Sequence, residues 1–302
     1  MDEPLPPFPT FLIIGAQKSA TRWLRTNLGE HPDIFTPRAE LHFWNVDRRA
    51  ARQRIDWYRA KFVGWNGEPI VGEATPGYMI WRHHPPRVAK RMKRLGPDLR
   101  LMAILRNPID RANSAMIHHI RRGRLPAGSR LVDVVRERRP SQRDRLCLVS
   151  GGWYGASLEP FFESFGDAML VLWQEDLKTD PGAVYDAALS HIGVAPGFRP
   201  PDLSKVVFSN RRGRAADRYE LSYDERVEMW GYFRKDVARL ERLLDVDLSR
   251  WEPRPEDVPE VPPTDPAALD APRSRWRTLR RPAAAPESGA GIEPDPHASD
   301  RA

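Results

Sequence analysis

Two segments of this 302-residue chain place side chains where they can hold an anion. The first runs Gly15-Ala16-Gln17-Lys18-Ser19-Ala20-Thr21-Arg22-Trp23, directly after the apolar run FLII at 11–14. Gly15, Ala16, Ser19 and Ala20 are small enough for a ligand to come close to the backbone. A helix that starts here leaves the N–H groups of roughly Ser19 to Trp23 without intrahelical acceptors, aimed at whatever fills the loop. Lys18 adds a mobile positive charge, and Ser19 and Thr21 add hydroxyl donors. That is the chemistry of a phosphate or sulfate cradle; the plainer alternative is a strand-to-helix turn with an exposed lysine. The second segment, Leu105-Arg-Asn-Pro-Ile-Asp-Arg-Ala-Asn-Ser-Ala115, also runs from a strand end into a helix. Arg106 leaves the strand as a forked donor, and Ser114 lies two turns on, on a face that can turn back to the same mouth.

The first loop is not of the magnesium–triphosphate form G-x-x-x-x-G-K-[ST], which has more residues between its glycines. Gly15 stands only three residues before Lys18, and no acidic strand end offers a metal partner.

The elements that must position these groups alternate. Strands are expected at 11–14, at 70–71 leading into Gly-Glu-Ala-Thr-Pro76, at 99–105 and at 169–173, all short apolar runs. Helices are expected at 19–28, 109–122, 157–165 and 181–192, with one long amphipathic helix or a helix pair at 221–244. Interleaved strands and helices predict an α/β fold, a parallel sheet covered on both faces, with ligands at the carboxyl ends of the strands.

Composition agrees. Forty per cent hydrophobic and 29% charged residues exclude a wholly disordered chain, and no run reaches the length of a membrane helix. Lys+Arg 48 less Asp+Glu 41 gives +7, which favours an anionic ligand; the interspersed signs argue against nucleic acid. The lone Cys147 excludes a disulfide framework, and the acidic, Pro-rich start is unlike a signal peptide, so a soluble cytoplasmic enzyme is expected. A domain is expected over 8–251. From 252 to 302 Pro, Ala and charged residues predict an extended or disordered tail, with Trp276 in the basic run 273–281. Nothing in the sequence fixes the oligomeric state.

GAQKSATRWL resembles the 5′-phosphosulfate loop of sulfotransferases that use 3′-phosphoadenosine 5′-phosphosulfate (PAPS), a family whose form is close to G-x-x-K-[SG]-G-T-[TS]-x-L. Ala20 stands where glycine is usual and Arg22 where a second hydroxyl is usual. The resemblance covers nearly all of 8–251. It implies a P-loop-like three-layer α/β/α fold with a central parallel sheet, PAPS as co-substrate, and no metal, because the cradle and Lys18 neutralise charge. Gln17, Lys18, Ser19, Ala20, Thr21, Arg22 and Trp23 then bind the phosphosulfate. L-R-N-P-I-D-R-A-N-S resembles the family's 3′-phosphate motif, so that Arg106 and Ser114 bind that phosphate while Arg111 and Asp110 hold the loop by a local ion pair. Asn210–Ala216 is similar to a basic loop that closes over the nucleotide, making Arg212, Gly213 and Arg214 cofactor candidates. Gly152-Trp-Tyr-Gly155 resembles the family's G-x-Y-x-x-x-L segment; Tyr154 or Trp153 stacks on a ring or is a core aromatic. LVLWQEDL, at 170–177, resembles L-V-L-R-Y-E-D-L, with Glu175 and Asp176 in structural roles.

Moving a sulfuryl group needs a base, positive charge over the sulfuryl oxygens and stabilisation of the leaving bisphosphate. Lys18 serves the last two. Arg38-Ala-Glu-Leu-His-Phe-Trp-Asn45 resembles K-E-x-H-[FY]-[FW] of glycan sulfotransferases, which implies Glu40 as general base and His42 as its orienting or relay partner. Phe43 and Trp44 are expected to wall the site and raise the carboxylate's pKa, and Thr75 to offer it a hydroxyl. Ala39 and Ala74 replace two family lysines, which points to an acceptor less anionic than heparan sulfate, with Arg38 or Arg22 compensating. The acceptor implied is a carbohydrate, a glycolipid or a hydroxylated small metabolite, sulfated on a hydroxyl or amine. His83-His84 and His118-His119 are read as helix residues rather than metal ligands. The rival functions are a nucleotide or small-molecule kinase on the same kind of sheet and a basic polyanion-binding module.

Overall fold

The computed structural model describes residues 6–45, 54–96, 98–137, 144–201, 203–205 and 220–257. The expected tail lies outside the described residues beyond Asp257, as do Arg212, Gly213 and Arg214. Five strands, β1 (Phe11–Gly15), β2 (Ile34–Phe35), β3 (Ile70–Ala74), β4 (Arg100–Leu105) and β5 (Met169–Trp173), form a parallel sheet in the order β2-β3-β1-β4-β5. Phe11 is in register with Gly72 on one side and Arg100 on the other. Eight helices accompany the sheet among the described residues: α1 (Thr21–Leu28), α2 (Ile55–Arg59), α3 (Pro85–Leu95), α4 (Pro108–Arg121), α5 (Leu131–Glu137), α6 (Tyr154–Phe165), α7 (Pro181–His191) and α8 (Tyr223–Leu244).

The strands are apolar throughout because both faces are covered. Leu12 and Ile14 of β1 and Leu101, Ala103 and Leu105 of β4 join one core, closed by α3, α4, α5, α6 and α8. Phe11, Ile13, Met102 and Ile104 alternate with them and face a second core under α1 and α7. These are the three expected layers. The chain leaves β1 towards β2 and β3 on one side and leaves β4 towards β5 on the other. A crevice therefore opens between the carboxyl ends of β1 and β4, the switch point where such sheets take ligands.

Where the elements depart from expectation, the cause lies far away in sequence. β2 is only two residues long, held by pairing with β3 (Ile34 with Ile70, Phe35 with Val71). α6 begins at Tyr154, three residues ahead of the expected start, because Asp236 of α8 accepts the N–H groups of Gly155 (2.8 Å) and Ala156 (2.9 Å). That cap fixes Tyr154 at the edge of the crevice. α8 is a single helix, started by a capping box between Ser222 and Glu225. Among the described residues no helix is long and apolar enough to cross a membrane.

At Gly155 the backbone of α6 closely approaches that of α8. A Cβ there would lie 2.7 Å from the Asp236 carbonyl oxygen and 2.9 Å from the Leu240 nitrogen, both backbone atoms that cannot swing aside. Gly155→Ala is therefore expected to lower stability by about 1–3 kcal/mol, read as a lower denaturant midpoint; an unchanged midpoint would contradict this contact.

Candidate active site

The loop after β1 curls through two left-handed residues, Lys18 and Ala20, each at φ 72°, before α1 begins. Ser19 N–H is already taken by the Ala16 carbonyl (3.2 Å), so the run of open donors starts later than expected. Leu24 is the first residue to find the carbonyl four back, Ala20 at 3.2 Å. The N–H groups of Thr21, Arg22 and Trp23 have no intrahelical acceptor. The Ser19 hydroxyl is buried, beside the equally buried Tyr154 hydroxyl, and neither makes a hydrogen bond of good geometry among the described residues. Trp23 takes part through its backbone only. Its ring lies in the second core, and its indole N–H donates to the Leu203 carbonyl (3.0 Å).

Cations converge on this loop. Burial lowers the Lys18 pKa, and the charges of Arg106, Arg121, Arg22 and Arg111 push it the same way. Arg111 is wholly buried, and burial lowers its pKa too. It donates through Nη2 to the Leu148 carbonyl, while Nε and Nη1 are buried without a partner. Only glycine at 151 leaves it room, since a Cβ there would lie 2.6 Å from Nη1. The expected Asp110–Arg111 ion pair does not form; Asp110 instead pairs with Arg226 of α8 at 2.8 Å. Among the described residues no carboxylate ion-pairs with Lys18, Arg22, Arg106 or Arg111. Ser114 is buried on α4, one turn before His118. His118 is pushed down to about 4 by burial and then by the Lys18 charge, which puts it beside the same loop.

Tyr154 corrects one expectation and meets another. Its ring is fully buried and meets Trp251 edge-on at 6.1 Å, so it offers no stacking platform. Burial pushes its hydroxyl up to about 12, against the pull of Arg111. Glu175 is structural, as read. It accepts the Asn107 N–H at 2.8 Å, and Asn107 in turn caps α4 by accepting from Ile109 N–H (3.0 Å). His84 is the N-cap residue of α3. Among the described residues no group of three or more His, Cys, Asp or Glu side chains could hold a metal ion.

Glu40 and His42 meet on the next loop, with Glu40 Oε2 3.4 Å from His42 Nε2. That contact with Glu40 raises the His42 pKa, against the effect of burial. The side chains are 55% and 54% exposed. Phe43 and Trp44 do not wall them in. Both rings turn into the core, Phe43 stacking on Tyr58 at 4.1 Å and Trp44 meeting both edge-on. Thr75 does not offer its hydroxyl to a ligand either: it donates to Glu73 Oε2 (2.7 Å) and accepts from the N–H groups of Leu41 (3.1 Å) and His42 (3.4 Å).

Arg25, which motif reading passed over, links the two loops. It donates to the carbonyls of Pro37 (3.1 Å) and Arg38, and it lies within electrostatic range of Arg22, Glu40 and Arg38. Arg22 and Arg25 stand at i and i+3 on α1, the spacing that brings side chains to one helix face. That pair was the available signal.

A strand–loop–helix turn at the switch point of a parallel sheet, with several cations converging on it and an exposed carboxylate on the next loop, is the arrangement expected of an enzyme that transfers anionic groups. The sulfotransferase domain family matches residues 8–240, and the chain belongs to it. It is 31% identical over 271 residues to the human bifunctional heparan sulfate N-deacetylase/N-sulfotransferase 3, covering 78% of this chain and 30% of that protein. It is 30% identical over 184 residues to the mouse heparan sulfate glucosamine 3-O-sulfotransferase 3A1, covering 60% of this chain and 44% of that one. The chain thus spans less than half the length of either relative. The crystal structure of a sulfotransferase from Alicyclobacillus acidocaldarius superposes with a TM-score of 0.67 at 29% identity, over 81% of this chain and 99% of that one.

Because Glu40 raises it, the His42 imidazolium stabilises the fold below the unfolded-state pKa of about 6.5 and loses that contribution as pH rises through the folded value. In an NMR titration, Glu40→Gln should return the His42 pKa towards its ordinary value. An unmoved titration would mean that the two side chains do not pair.

Proposed function

We propose that this chain transfers a sulfuryl group from PAPS to a hydroxyl or amine of a glycan-type acceptor. The observation that carries the reading is the convergence of Lys18, Arg22, Arg106, Arg111 and Arg121 about this loop, where among the described residues the buried Ser19 hydroxyl makes no hydrogen bond of good geometry and Arg111 Nε and Nη1 lack partners. Anionic oxygens satisfy those donors and relieve the repulsion that, after burial, depresses Lys18. An adenosine bearing phosphates at both 3′ and 5′ carbons suits a cluster that draws cations from the loops after both β1 and β4.

Lys18 and the open N–H groups of Thr21, Arg22 and Trp23 neutralise the charge that builds on the leaving 5′-phosphate. Arg106 and Ser114 hold the ribose 3′-phosphate. Glu40 removes the acceptor proton as the acceptor's bond to sulfur forms and the bond from sulfur to the phosphate oxygen breaks. His42 orients Glu40, and the exposure of the pair suits an acceptor that arrives from solvent. Arg22, in electrostatic range of both Lys18 and Arg25, supplies charge that Ala39 and Ala74 do not. The names of the heparan sulfate relatives support a carbohydrate or glycolipid acceptor. A cytoplasmic location belongs to the same proposal, supported by the sequence's single cysteine, the buried Cys147, which excludes an internal disulfide framework.

The test is transfer from radiolabelled PAPS to a panel of glycans. Lys18→Ala is expected to lower turnover about 100-fold or more. Glu40→Gln should lower it by about 100-fold with adenosine 3′,5′-bisphosphate bound as tightly as before. Wild-type turnover by Glu40→Gln would remove that residue from the mechanism, and no transfer by the wild-type chain would remove the activity.

A further inference from the structure

The loop that carries Glu40 and His42 has no helix or strand of its own over residues 36–42, yet its backbone is held on both sides of Glu40. On the far side the Thr75 hydroxyl takes the N–H groups of Leu41 and His42. On the near side Arg25 takes the carbonyls of Pro37 and Arg38. His42 is left-handed, at φ 53°, a costly conformation for a residue with a Cβ, which persists only where its surroundings determine it.

The Thr75 hydroxyl is itself fixed. A hydroxyl has one proton and two lone pairs, and here all three are used, the proton on the buried Glu73 carboxylate. Glu73 also accepts from Tyr58 (2.8 Å) and Tyr78 (2.6 Å), so it has no freedom to turn away. Burial pushes its carboxyl pKa up, and the three hydroxyl donors oppose that push. The network lies at the carboxyl end of β3, where the Thr75 N–H donates to the Ile13 carbonyl of β1 (3.0 Å). Arg25 rides on α1, the helix whose start forms the Lys18 loop. Both ends of the loop are therefore referred to the frame that holds the anion cradle.

We propose that Thr75, locked by Glu73 and opposed by Arg25, is a positioning residue for the reaction: it sets the backbone at residues 41–42 and through it the Glu40–His42 pair. The inference rests on the reading of Glu40 as the base. Thr75 touches no substrate, so its loss acts on turnover and not on nucleotide affinity.

The experiment is a mutant cycle on the full chain. Thr75→Val, which replaces the hydroxyl with a methyl of the same shape, is expected to lower kcat about 10- to 100-fold. The affinity for adenosine 3′,5′-bisphosphate stays the same, the His42 titration returns towards the ordinary imidazole value, and Thr75→Ser restores both kcat and titration. In a Glu40→Gln background Thr75→Val adds no further loss. Should Thr75→Val not fold, Arg25→Gln, at a half-buried site outside the core, is expected to give the same kcat loss and the same absence of further loss in Glu40→Gln. Wild-type kcat in these variants, an equal loss with and without Glu40, or weakened bisphosphate binding would overturn the proposal. Wild-type turnover in Glu40→Gln alone would overturn the base instead, and the His42 titration in Thr75→Val would still decide whether the hydroxyl holds the loop.

Discussion

Lys18, Arg22, Arg106, Arg111 and Arg121 are gathered at the crevice between β1 and β4 with no carboxylate of the described chain paired to the first four. Positive charges brought together in a half-buried place repel one another, and the lowered pKa of Lys18 reflects that repulsion on top of burial. Much of the surrounding structure can be understood as holding this arrangement. Gly151 makes room for the Arg111 guanidinium, and the Leu148 carbonyl takes one of its N–H groups. Asp110, the carboxylate next to Arg111 in sequence, is engaged by Arg226 and so leaves the cluster uncompensated. An arrangement that costs free energy when empty gains it back when an anion arrives, the logic of a preorganised site.

The second half of the site is tied to the first through α1. Its first turn leaves backbone donors open towards the crevice, and Arg25, further along, grips the loop that bears Glu40. The carboxylate stays exposed because Phe43 and Trp44, which follow it in sequence, are anchored in the core with Tyr58. Those buried rings fix the end of the loop rather than shield its chemistry. Glu40 and the loop after β1 are thus both referred to α1.

The sheet was legible because its signals are local. FLIIG and RLMAIL are apolar runs closed by Gly15 and by Asn107-Pro108, and the structure ends each strand there. The strand–loop–helix turn after β1 and the closeness of Glu40 to His42 were legible for the same reason, as residue types at short spacing. The rest depends on partners distant in sequence. Tyr154 looks like a stacking residue until Trp251 and the Asp236 cap bury its ring. Asp110 and Arg111 look like a pair until Arg226 takes the carboxylate. Thr75 looks like a ligand donor until Leu41 and His42 claim its oxygen across more than thirty residues. β2 is too short to leave a pattern at all.

The central claim is that the cation cluster recognises a nucleotide phosphorylated at both its 3′ and 5′ carbons. Calorimetric titration with adenosine 3′,5′-bisphosphate, adenosine 5′-monophosphate and magnesium–ATP tests it most directly. The account predicts that the bisphosphate binds at least about tenfold more tightly than the other two, through charge-assisted bonds from Arg106, and that this advantage shrinks as salt screens the cluster. Equal affinity for the monophosphate, tighter binding of magnesium–ATP, or no heat with the bisphosphate would contradict it.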